Sequence, residues 1–167
     1  MQLLIDGFNL IYKFPDLEAM MYDDRLNDAR KGLLLILLEY SKKKKGDKFS
    51  IFFDGKKEKG SVVREDMFGE MKLYYSGDLT ADYEIKRYVT FSPNPGNLFV
   101  VTSDKDIIGH CKKFKAKTIT SEEFSKSIIQ ELEPSQTIEV KPEHQTAEEL
   151  EFWKKVFQEK KNAKSQN

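Results

Sequence analysis

Short apolar runs recur along this chain, separated by segments whose apolar residues fall at helical spacing, and this alternation restricts the fold more than any other feature. Leu3–Ile5, Phe49–Phe53, Met71–Tyr75, Leu98–Val101 and Lys117–Ile119 read as strands. From about Asp24 to Lys44, Leu26, Ala29, Leu33, Leu34, Ile36, Leu37 and Tyr40 mark one helix face, and Lys42–Lys45 complement the dipole at its end. A second helix starts near Thr80-Ala81-Asp82, and a third follows Asp104 to about Phe114. A fourth opens at Ser121, with that serine as its expected cap. Phe14-Pro15 is expected in a loop, and the polar, glycine-dotted residues 56–70 in an exposed loop with limited structure. Strands and helices alternating in this way predict an α/β fold: a mostly parallel sheet of about five strands joined by right-handed crossovers.

Pro134 closes that unit, which predicts a domain over residues 1–134 and a linker over 135–145. Thr146-Ala147-Glu148-Glu149 is a capping-box pattern before a lysine-rich helix, so residues 146–167 read as a C-terminal helical extension. Its Leu150, Trp153, Val156 and Phe157 share one face, which suits packing on the domain or docking to a partner.

Cys111 is the only cysteine among 167 residues, so no internal disulfide is available. With just His110 and His144 besides, any metal has to be held by oxygen, and such sites favour magnesium or manganese. Basic and acidic residues balance at 28 each, which argues against nonspecific coating of nucleic acid but leaves room for an enzyme touching a few phosphates. The lysine clusters 42–45, 56–59 and 112–115 read individually as solvated surface. The N-terminus lacks a basic region followed by a cleavable apolar stretch, and the longest apolar run, Gly32–Leu38, is too short to span a bilayer. A cytoplasmic location without membrane association is expected.

Aspartates sit where the strands stop. Asp6 follows strand one, Asp54 strand two and Asp104 strand four, while Asp82 opens the helix after strand three. In a parallel sheet these ends share one edge, where open α/β folds bind ligands. Collected acids repel one another, and a divalent cation resolves the conflict while activating a bound water against a phosphodiester. Each acid also has a plainer reading as a turn or capping residue. Asn9 suits either support of a carboxylate or a loop hydrogen bond, and Asp106 reads as surface.

Ile5-Asp6-Gly7-Phe8-Asn9-Leu10-Ile11, Phe53-Asp54-Gly55, Tyr75-Ser76-Gly77 with Thr80-Ala81-Asp82, and Val101-Thr102-Ser103-Asp104 together resemble the NYN domain in its bacterial YacP-like branch. That branch is a division of the PIN-like nucleases, and the resemblance covers about residues 2–132. It implies a PIN-like three-layer fold and metal-dependent endoribonuclease activity, in some members on messenger RNA at the ribosome. By motif, Asp6, Asp82 and Asp104 would bind Mg²⁺ or Mn²⁺, with Asp54 secondary. Asn9 and Ser103 would support them. Phe8 stands where tyrosine is typical.

Arg30, Lys86 and Arg87 are candidate phosphate contacts, with carboxylate pairing or ordinary surface as the alternative. Two other functions fit the same acids. One is a noncatalytic RNA- or ribosome-binding module. The other is a receiver-type domain phosphorylated on Asp54, although strand one carries no acid pair and strand five ends in Thr120 rather than lysine.

Overall fold

A computed structural model of the protein describes residues 1–133. The expected linker and C-terminal helix lie outside the described residues. The sheet is formed by β1 (Gln2–Asp6), β2 (Lys48–Phe53), β3 (Glu65–Phe68), β4 (Met71–Tyr75), β5 (Leu98–Val101) and β6 (Lys117–Ile119). Its order is β3-β4-β2-β1-β5-β6, and all neighbours are parallel except β3 with β4.

The helices are α1 (Gly7–Ile11), α2 (Pro15–Tyr22), α3 (Leu26–Lys43), α4 (Ala81–Phe91), α5 (Lys105–Lys113) and α6 (Ser121–Leu132). Strand alternation divides the core. Leu3, Ile5, Ile51 and Phe53 pack with α3 and α6 residues such as Leu33, Leu37, Phe124 and Ile128. Leu4, Phe52 and Val100 face the opposite layer, with Ile85 and Val89 of α4 and Ile107 and Cys111 of α5. The result is three layers, helix on sheet on helix.

Three expectations are corrected. The sheet has six strands, because β3 lies inside the segment expected to be loop. Its sequence, Glu65-Asp66-Met67-Phe68, is polar as suits an edge strand, and the hairpin turns through Gly69 at φ +60°. The Phe14-Pro15 region is helical on both sides, with Pro15 in the first turn of α2, where its missing N–H forfeits no helix bond. Finally, α6 is capped by Thr120, whose side chain and that of Glu123 form a reciprocal capping box. Ser121 is buried and bonds elsewhere.

Gly7 begins α1 directly at the end of β1. A Cβ there would lie 2.6 Å from the Phe53 ring and 2.9 Å from the Phe52 carbonyl, so only glycine lets the chain turn this close to β2.

Candidate functional site

The chain adds β2 and β4 on one side of β1, then crosses to place β5 and β6 on the other. After β1 it enters α1 on one face, and after β5 it enters α5 on the opposite face. The carboxyl ends of β1 and β5 form the switch point of this open α/β sheet, the place where such folds open a ligand crevice. Asp6, Asn9, Thr102, Ser103 and Asp104 lie there, joined across it by hydrogen bonds.

Thr102 is fully buried and joins the two sides. Its Oγ1 donates to Asp6 Oδ2 at 3.0 Å and accepts the Asp104 N–H at 3.1 Å. Burial pushes the Asp6 carboxyl from its ordinary 3.8 up to about 6; the Thr102 bond opposes this and the charges of Asp54 and Asp104 add to it. Asp6 therefore carries its charge at a cost at neutral pH.

Asp104 is exposed and caps α5, its Oδ1 accepting from the N–H groups of Asp106 at 2.8 Å and Ile107 at 3.2 Å. Asp54 caps α4 from a neighbouring strand, with Oδ1 accepting the Ala81 N–H at 2.8 Å. Asp104 thus fills the capping role of its plainer reading, while Asp54, expected in a turn, caps a helix as well. Asp82, in the first turn of α4, pairs through Oδ2 with Lys86 at 3.3 Å, while its Oδ1 is buried without a hydrogen-bond partner among the described residues.

The supporting residues are placed differently from one another. Asn9 Oδ1 accepts from the Ser103 N–H at 2.8 Å and from Ser121 Oγ at 2.6 Å, so it clamps α1 to the β5–α5 loop and to α6. Ser103 Oγ accepts the Ser121 N–H at 3.0 Å and bonds the Glu122 carboxylate.

The three candidate phosphate contacts are not together. Lys86 bridges Asp82 and Asp106, the carboxylate pairing that was the alternative reading. Arg87 is exposed in a groove with Gln2 and Asn97, at the amino ends of β1 and β5 and away from the acids. Arg30 is only 5% exposed. It donates to the carbonyls of Asp54 at 2.7 Å, Lys56 at 2.9 Å and Lys57 at 3.4 Å. Its guanidinium lies 5.3–5.5 Å from the rings of Phe8, Phe53 and Tyr75, and burial lowers its pKa. This is the environment of a structural clamp, and the position was visible in principle: Arg30 falls in the helical stripe of Leu26, Leu33 and Leu37.

Sequence reasoning missed Thr102 as the Asp6 partner. It also missed Glu122, which pairs with Lys13 at 2.6 Å and bonds Ser103, contacts that hold its carboxyl down near 2. The available signal was its place in the first turn after a parallel strand, on the same edge as the acids.

Among the described residues, no group of three or more His, Cys, Asp or Glu side chains is disposed to hold a metal ion. The donor chemistry nevertheless fits a hard cation. Every candidate ligand is a carboxylate, Asp82 Oδ1 is an orphaned buried oxygen, and the burial of Asp6 outweighs the Thr102 and Asn9 hydrogen bonds that favour its charge.

Asp6 supplies a pH signature. Because its folded pKa lies above the unfolded value, metal-free protein holds this contribution in full below about pH 4 and loses it as pH rises through about 6. Urea midpoints of wild type and Asp6→Asn are expected to separate in the variant's favour across that window and to stay separated above it. A difference that does not change between pH 4 and 7 would contradict the assigned shift.

The fold and this crevice define an open, mostly parallel α/β domain with carboxylates ranged along its switch-point edge. The chain belongs to the YacP-like NYN domain family, which it matches over residues 3–166, within the PIN-like nuclease superfamily. That match continues through the C-terminal segment, past residue 132 where the motif resemblance stopped. The crystal structure of Rae1 (YacP) from Bacillus subtilis is similar with a TM-score of 0.63 at 20% identity, over 78% of this chain and 74% of that one. A tryptophan-to-leucine mutant of the same protein gives 0.60 at 20% identity, over 77% and 75%. At that identity the likeness establishes the fold. No curated protein sequence matches the chain. No helix among the described residues is long and apolar enough to cross a membrane.

Proposed function

We propose that this protein is a metal-dependent endoribonuclease that hydrolyses phosphodiester bonds of single-stranded RNA at the crevice between β1 and β5. The observation that carries this reading is the common sheet edge shared by Asp6 at the end of β1, Asp54 after β2 and Asp104 after β5, where burial also raises the Asp6 carboxyl to about 6. A charge held at such a cost beside other acids is relieved by a bound cation. Asp6, Asp82 and Asp104 would hold Mg²⁺ or Mn²⁺, with Asp54 in a secondary place. When bound, the ion would activate water and stabilise charge on the phosphate.

The chain's own groups prepare that chemistry. Thr102 orients Asp6, and the Asn9 clamp keeps the α1 and β5–α5 loops in register. Lys86 holds Asp82 and Asp106 against mutual repulsion. With zero net charge, the protein has little general attraction for naked RNA, which suits a substrate presented by a partner such as the ribosome in the cytoplasm.

The test is a cleavage assay on single-stranded, duplex and ribosome-bound RNA with Mn²⁺, repeated with chelator. Internal cleavage is expected, strongest on ribosome-bound RNA and weak on free strands, and chelator should abolish it. Binding without cleavage on all three substrates would favour the noncatalytic module. Cleavage indifferent to chelator would remove the metal.

A further inference from the structure

We infer that a second phosphate of the RNA strand, adjacent to the scissile one, binds in a cleft between the N-terminus of α3 and the 56–59 loop. The inference rests on the RNA-cleaving reading and assigns a role to a lysine cluster that the catalytic crevice leaves unused. Because α3 leads back into parallel β2, its N-terminus lies on the same edge as the strand carboxyl ends. The cleft there has a volume of about 450 Å³, and its lining carries two more basic than acidic side chains.

Four features suit a phosphodiester. No side chain caps the start of the 18-residue α3, so its first N–H groups are open to a ligand, although Asp28 stands in the first turn, paired with Arg25. Lys57 and Arg25 are engaged by Asp66 and Asp28, but Lys56 and Lys59 are exposed and without an ion-pair partner among the described residues. Arg30 also lines the cleft; it is 5% exposed, and its Nε has no hydrogen-bond partner among the described residues. Its buried positive charge meets backbone carbonyls, aromatic faces and the field of the Asp54 carboxylate, and an anion in the cleft would add to these.

The fourth feature is proximity. Lys56 follows Asp54 by two residues, a reach of at most about 7 Å, so one strand can lie across the acids and enter the cleft. This arrangement lets a protein of zero net charge hold RNA locally, by placing two unpaired lysines next to the acidic edge.

The experiment measures fluorescence anisotropy of a labelled single-stranded oligoribonucleotide with the full chain, in chelator to prevent cleavage, across a salt series. The double variant Lys56→Ala/Lys59→Ala is compared with Lys112→Ala/Lys113→Ala, which removes equal charge from the far end of α5. The first is expected to weaken binding about tenfold and to reduce the salt slope by about 0.7, the value for one phosphate contact on a single strand. The second should match wild type. Equal effects of the two pairs, no effect of the first, or no measurable binding by wild type would overturn the cleft. Cleavage with lysine-indifferent binding removes the cleft alone, whereas lysine-dependent binding without metal-dependent cleavage removes the nuclease reading alone.

Discussion

Asp6→Asn is expected to reduce metal-dependent RNA cleavage by about 100-fold or more while leaving the protein at least as stable as wild type. A catalytic metal contributes several kcal/mol to the transition state, and each 1.36 kcal/mol is tenfold in rate. Asparagine offers one neutral oxygen where aspartate offers a charge, so metal affinity at the crevice falls. The fold has no corresponding need for that charge. Thr102 Oγ1 can donate to an amide oxygen as it does to Asp6 Oδ2, and the desolvated carboxylate is removed. With the Asp6 carboxyl raised from 3.8 to about 6, the gain at pH 7 in metal-free protein is on the order of 1–3 kcal/mol. Cleavage rate and urea midpoint measured on one preparation check both halves. Undiminished cleavage would sink the catalytic assignment, and a lowered midpoint would show that the charge is structural.

Arg30→Ala should do the opposite: destabilise strongly, by about 3–5 kcal/mol. The substitution strips donors from the carbonyls of Asp54, Lys56 and Lys57, and it removes a cation enclosed by Phe8, Phe53 and Tyr75. For a domain of this size each kcal/mol moves the melting temperature by about 2–4 °C, so a fall of roughly 10 °C is expected. Arg30→Lys should not rescue it, since a single ammonium cannot span three carbonyls as the planar guanidinium does. Thermal unfolding within about 2 °C of wild type would show that these bonds are replaced by water at no cost. The clamp also fixes the loop carrying Lys56 and the backbone of Asp54, so this one buried arginine links core stability to the geometry of the site's edge.

The parallel strands were legible because strands covered on both faces are written as continuous apolar runs; Phe49–Phe53 and Leu98–Val101 have no other economical reading. β3 was not legible, since a polar edge strand has little apolar pattern of its own and forms by pairing with β4. The short helices α1 and α2 were hidden behind Asp-Gly and Phe-Pro, pairs that locally read as turns. The placement of Asp6, Asp54 and Asp104 at strand ends followed from the alternation of elements, and the family followed from the order of those motifs.

The layer architecture and the edge on which the acids fall are therefore written in the chain itself, because both depend on local periodicity and on the directionality of parallel strands. The bonding partner of each polar group, by contrast, is a product of tertiary packing. Asn9 meets partners 94 and 112 residues away, Asp54 caps a helix 27 residues on, and Arg30 is buried under a loop from beyond the next strand. Such contacts are set by how whole elements stack, and hydrogen-bond partners distant in the chain leave no periodic trace in it.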